Sequence, residues 1–213
     1  MINSGQQDAT HNTGGWTDYS QEDDACSGTN AHDLKDIISS CPASGNQGTL
    51  TFGQDISLTN GMTESVFKPL YECWVAQTNK QQVWELTLPV VSCPTNVVGP
   101  TCSELLGVID VTIIWINDIN DPLYNNAPTI MYSNDDPPQL LWSSSNPDGE
   151  ARWNDFVSTF NLVNLDGLPA PYAFMSIYFL PHCGPHETTG FTGGQNFGIS
   201  GQNSSVGGLA ERQ

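Results

Sequence analysis

The chain has 213 residues with 5 Lys+Arg against 23 Asp+Glu, a formal net charge of -18 and a pI near 4.1. A field of that sign repels phosphate backbones and anionic lipid, whose binding depends on cations replacing released counterions. Nucleic acid and membrane surfaces are therefore excluded as expected partners. The length supports one large domain with a real core, and 20 glycines with 14 prolines predict many turns and few long helices. Residues 1–25 are polar and rich in Gly, Asn and Asp, which predicts a flexible arm or an irregular cap. Ala31 to Ser40 predicts a short helix with Asp33 near its start and Leu34, Ile37 and Ile38 as its apolar stripe.

Beyond Asn60, Met62, Val66, Phe67, Leu70, Tyr71, Trp74 and Val75 recur at helical spacing, although Pro69 is expected to kink or split that helix. Strands follow. Val83 to Ser92 alternates Trp84, Leu86 and Leu88 with polar partners as far as Pro89, and Leu105 to Ile116 is nearly apolar on both faces, the mark of a central strand. Thr129 to Tyr132 and Gln139 to Ser143 are short strands around an Asn-Asp-Asp-Pro-Pro turn. Arg152 to Asn161 carries Trp153, Phe156, Val157 and Phe160 at helical spacing after a turn at Pro147-Asp148-Gly149, and Ala173 to Leu180 is a further strand ending at Pro181. From Gly184 to Gly208 glycine dominates, which predicts a loop or extended tail, flexible over residues 201–213. The order of elements fits one α+β domain over residues 26–200, loop-rich, with a mostly antiparallel sheet and two or so packed helices.

Six cysteines, Cys26, Cys41, Cys73, Cys93, Cys102 and Cys183, form no CxxC pair. Zinc ribbons and thioredoxin-like redox turns need that close spacing, so disulfides in an oxidising compartment are the better reading. Cys93 and Cys102 bracket a short Pro/Gly loop whose closure costs little entropy, making that bridge the first expectation and Cys26–Cys41 the second. Met1 to Gly15 lacks the apolar core of a secretory signal. An exported protein is then expected to have had a segment removed or truncated ahead of Met1. The longest apolar run, Leu105 to Ile116, is interrupted by Asp110 and falls short of the roughly 20 residues of a spanning helix.

Two segments invite a metal. Asn117-Asp118-Ile119-Asn120-Asp121, followed by Asn125-Asn126-Ala127-Pro128, gathers hard oxygens at a strand end, where Asp118, Asn120 and Asp121 are candidate calcium ligands. The bland alternative is an Asn/Asp turn. Asp135-Asp136 and Asp148-x-Glu150 are further sources of oxygen. His182-Cys183-Gly184-Pro185-His186-Glu187 has the spacing of a zinc pair, but its prolines and glycine forbid the helix that would bring both imidazoles to one face. No nucleophile elbow, Walker loop or dinucleotide fingerprint is present, so neither catalysis nor a cofactor is expected. Trp74, Trp84, Trp115 and Trp153 fall in apolar patterns and read as core, whereas Trp16 and Trp142 are freer to line a groove.

Ile177-Tyr-Phe-Leu-Pro-His-Cys183, followed by Pro185-His-Glu-Thr-Thr-Gly-Phe-Thr-Gly-Gly-Gln-Asn-Phe-Gly198, resembles the ending of TadE/TadG-like (Flp, tight-adherence) pilus-assembly proteins. Trp84-Glu-Leu-Thr-Leu-Pro-Val-Val-Ser-Cys-Pro94, with Cys102 and the strand Leu106 to Ile116, extends the resemblance to about a third of the chain. The resemblance implies a periplasmic or extracellular domain, membrane-anchored in the full-length protein. It also implies a role without catalysis in pilus biogenesis or surface attachment, with envelope or pilus proteins as partners. This chain lacks the family's membrane helix, and the polar arm would follow that anchor. The alternatives are a calcium-dependent adhesin or ligand-binding module, and a secreted hydrolase.

Overall fold

The computed structural model describes residues 2–3, 14–21, 32, 34–35, 38, 41, 50–60, 64–92, 102–164, 167–185 and 199–201. In chain order the elements are β1 (Ile2–Asn3), β2 (Gly14–Trp16), β3 (Asp55–Ser57), β4 (Thr59–Asn60), α1 (Glu64–Thr78), β5 (Trp84–Val91), β6 (Cys102–Asn117), β7 (Ile130–Tyr132), β8 (Leu140–Ser143), α2 (Gly149–Thr159), β9 (Ser176–Pro185) and β10 (Ile199–Gly201). Helical backbone also occurs at His32, Leu34, Lys35 and Ile38, within the predicted short helix. Leu34 and Ile38 of its apolar stripe are buried.

The nearly apolar run of the sequence becomes the spine of the molecule. β6 pairs antiparallel with β5 on one side, and with β9 and β3 on the other. Ile113, Ile114, Trp115 and Ile116 are consecutive and all buried, as a strand covered on both faces requires. The main sheet runs β1-β9-β6-β5-β10-β2-β4, with β3 on β6, while β7 and β8 form a separate ribbon. Among the described residues every pairing between these strands is antiparallel except β10 with β5. The architecture is the expected disulfide-stabilised α+β arrangement with a mostly antiparallel sheet, the Cys41–Cys73 bridge lying on α1.

Both long helices lie where apolar spacing placed them, with differences that local physics explains. α1 is not split by Pro69. The proline forfeits one backbone bond at a cost of about 3 kcal/mol, whereas Val66, Phe67, Leu70, Cys73 and Trp74 are all buried, each contributing roughly 1.5–3 kcal/mol. Burial outweighs the break. α2 begins earlier than its apolar stripe because Asp148 caps it, accepting from Glu150 N at 3.0 Å and Ala151 N at 3.2 Å.

Pro181 does not end its strand as expected, and Pro89 lies inside a strand predicted to continue to Ser92. β5 runs through Pro89, and β9 runs through Pro181 to Pro185 rather than stopping at Leu180. Each strand is held along one side by β6, while its outer side is paired, among the described residues, only at Val90 in β5 and at Ser176 and Ile177 in β9. A missing N–H costs little on such an edge.

The N-terminal segment requires correction. Among its described residues β1 and β2 join the main sheet and Trp16, Thr17 and Tyr19 are buried, not part of a flexible arm, while residues 4–13 and 22–25 lie outside the described residues. Burying the two aromatic side chains contributes roughly 2–3 kcal/mol each, enough to order an otherwise polar stretch. Trp16 joins the main core with Trp74, Trp84, Trp115 and Trp153. Tyr19 packs with Ile56, Leu58, Val91 and Leu105 in a second cluster where β3 meets β5 and β6. The Gly-rich C-terminal segment likewise supplies a strand, β10, rather than loop alone.

Candidate functional site

β6 ends at Asn117, whose buried side chain closes the strand end. Its Nδ2 donates to Ala173 O at 2.8 Å, and its Oδ1 accepts from Ile119 N at 3.3 Å. The chain then turns around Asp121. One carboxylate oxygen accepts from Leu123 N at 3.3 Å and Asn125 Nδ2 at 3.0 Å, and the other accepts from Asn126 N at 2.9 Å and Asn126 Nδ2 at 3.1 Å. Slight burial works to raise the Asp121 carboxyl, but the bonds from Asn126, Asn125 and Leu123 together hold it below the usual carboxylate range.

Arg152 fastens this loop to α2 from beneath. It is 7% exposed, with Nε donating to Ala127 O at 3.1 Å, Nη1 to Asn146 O at 2.7 Å, and Nη2 to Tyr124 O and Asn125 O at 3.5 Å. Gly149 permits the close approach, since a Cβ there would lie 2.4 Å from Tyr124 O. Tyr124 stacks on Tyr172 at 5.0 Å, and Trp153 meets Tyr172 and Tyr178 edge to face at 5.0 and 4.9 Å. Tyr178 donates its hydroxyl to Pro171 O at 2.7 Å and accepts from Ala173 N at 2.9 Å. Burial pushes it up to about 12 against the opposing bonds from Ala173 and Ser176. Burial, reinforced by the Asp121 charge, pushes Tyr172 well above the ordinary tyrosine range. Both phenols stay protonated at physiological pH; Tyr178 serves as a hydrogen-bonding group, whereas Tyr172 serves by packing, its buried hydroxyl having no hydrogen-bond partner among the described residues.

This geometry corrects the calcium reading of Asp118, Asn120 and Asp121. Calcium takes six to eight oxygens, yet both Asp121 oxygens face N–H donors and Arg152 occupies the carbonyls of Tyr124, Asn125 and Ala127. Asn120 is exposed and Asp118 is half-buried. Among the described residues no group of three or more His, Cys, Asp or Glu could hold a metal ion. Asp148, another proposed oxygen source, is spent on the α2 cap. The Asn/Asp turn prevails because its own backbone N–H groups reach the carboxylate first.

Of the second motif, the backbone at His182 and Cys183 belongs to β9, with Cys183 opposite Val111, whereas His186 and Glu187 lie outside the described residues. Neither Trp16 nor Trp142 lines a groove, since they are 4% and 8% exposed. Trp142 meets Phe156 edge to face at 5.0 Å. The expected Cys26–Cys41 bridge is replaced by Cys41–Cys73, with a Cα–Cα distance of 5.5 Å. Cys73 sits on the buried stripe of α1 facing Cys41, a proximity that sequence distance hides. Cys102 is disulfide-bonded, and Cys26 and Cys93 lie outside the described residues.

The loop so built is a stiff pedestal with apolar tips. Leu123 is 73% exposed, Phe174 41% and Ile119 39%. Ile119 and Phe174 each lie two residues beyond the Asn117–Ser176 register pair. Sequence reasoning missed Arg152, for which the available signal was a lone cation inside the apolar helix stripe beside Trp153 and Phe156. Among the described residues no helix is long and apolar enough to cross a membrane. No known protein family, curated protein or solved structure matches the chain.

Proposed function

We propose that the chain is a non-catalytic extracytoplasmic domain that acts by protein contact in cell-envelope or pilus (Flp/Tad-type) assembly or in surface attachment. The observation that carries this reading is the pedestal loop, where Asp121, Arg152 and Gly149 hold the backbone while Ile119, Leu123 and Phe174 face solvent. An ordered backbone with exposed apolar side chains lowers the entropic cost of docking a partner. The acidic field, with a formal charge of -18, suits a partner bearing a basic rim and steers it toward the loop. The Cys41–Cys73 bridge fits an oxidising compartment. The resemblance in Trp84–Pro94 and Ile177–Gly198 supplies the envelope context.

The test replaces Leu123 and Phe174 together by serine in the full-length protein, in cells that depend on it for attachment. Both side chains are exposed, so the melting temperature is expected to hold while attachment falls about tenfold, the scale of one interface anchor. Unchanged attachment by a folded, normally abundant double variant would sink the reading.

A further inference from the structure

β10 stands between strands from distant parts of the chain. It pairs antiparallel with β2 through Ile199↔Trp16, Ser200↔Gly15 and Gly201↔Gly14, and parallel with β5 through Gly201↔Val90. In the order of the sheet, β2 and β4 reach β5 only through β10 among the described residues. Removing β10 would open facing edges on β2 and β5, and unpaired strand edges recruit other strands. A slot bounded by two such edges recognises an extended segment mainly through main-chain hydrogen bonds.

β10 is three residues long, so it is held by few bonds and belongs to the low-stability end of the fold, where local opening is cheap. Residues 186–198 join it to the end of β9, enough chain to span up to roughly 45 Å. That reach extends beyond the chain's own slot to a neighbouring molecule.

We propose that the slot between β2 and β5 also accepts the 199–201 strand of a second copy, so that copies link by strand exchange. The occupant is a second copy, not an unrelated peptide, because the segment that fits the slot in register is the chain's own. An exchanged strand makes the same backbone bonds and needs no new complementary surface. In dilute solution the tether favours the chain's own strand, through an effective concentration of about millimolar. Crowding copies to a comparable local concentration, as in an assembly, shifts the balance toward exchange. Two copies each carrying -18 repel, so exchange rises with ionic strength as the charges are screened. The inference rests on strand order and does not depend on the pedestal loop, so either reading can fail without the other.

The test uses full-length variants with one added cysteine each, Gly15→Cys and Ser200→Cys, which are register partners. They are mixed, mildly oxidised and read by intact mass. At about millimolar protein the mixture is expected to give roughly tenfold more covalent heterodimer than at about 10 µM. It is also expected to exceed a Gly15→Cys and Ser158→Cys mixture, since Ser158 is exposed on α2. The double variant Gly15→Cys/Ser200→Cys crosslinks within one chain when dilute. Heterodimer no greater than the Ser158→Cys control at any concentration would overturn the proposal. So would a dilute double variant that forms no internal crosslink, because the slot would then not hold this strand at all.

Discussion

Replacing Arg152 by alanine is expected to cost about 3 kcal/mol of folding stability, an estimate built from its bonds. The two short ones dominate, 2.7 Å to Asn146 O and 3.1 Å to Ala127 O, because the pair at 3.5 Å stands at the weak limit. A bond from a charged donor contributes about 1.5–3 kcal/mol net, and a buried acceptor left unpaired forfeits its hydration. Ala127 is buried, so no water replaces the lost Nε donor there, whereas half-buried Asn146 regains some hydration. Counting the first bond fully and the second in part gives the stated figure.

Lysine restores the charge but not the planar fork, so Arg152→Lys is expected to recover less than half of the loss. Urea unfolding followed by tryptophan fluorescence reads both variants, with the slope unchanged and only the midpoint lowered. A loss under about 1 kcal/mol for Arg152→Ala, within the ordinary range of surface substitutions, would refute the clasp. Wild-type stability of Arg152→Lys would refute the argument from geometry.

Asp121 predicts a sign for acid stability. Its folded carboxyl lies below the ordinary range, so its contribution is present above the unfolded value and disappears as pH falls through the folded one. Asp121→Asn is therefore expected to flatten the stability profile below about pH 4, measured as urea midpoints in an acid series, and an unchanged slope would contradict the bonding. Peptide mapping of oxidised protein is expected to return Cys41 joined to Cys73. It is also expected to join Cys93 to Cys102, because Ser92 N donates to Glu104 O at 2.9 Å and so leads the chain back beside the disulfide-bonded Cys102. Cys73→Ser is expected to cost about 2–5 kcal/mol, and a smaller midpoint shift would show that the bridge adds little to α1 packing.

Trp84–Val91, Leu105–Ile116, the β7–β8 ribbon and both apolar helix stripes were legible because periodicity is local. Alternation or 3.6-residue spacing shows which face is buried whatever covers it. Acidity, the absence of nucleotide and hydrolase fingerprints, and an α+β class with a mostly antiparallel sheet follow from the same kind of reading. What covers each face is a matter of distant partners. Cys41 chose Cys73 over the nearer Cys26 because α1 turns its buried stripe toward it. Trp16 and Tyr19 drew a polar segment into the core, where their apolar area outweighs the segment's composition. Pro69 and Pro181 were overruled because tertiary burial and a long pairing strand contribute more than one lost hydrogen bond. Asp121 became a turn anchor rather than a cation ligand because Leu123, Asn125 and Asn126 bring donors to its oxygens first, while Arg152 takes the neighbouring Tyr124 carbonyl. Local chemistry thus determined which residues are buried and which turn the chain, and only the folded arrangement decided which of them meet, because those contacts join residues far apart in sequence.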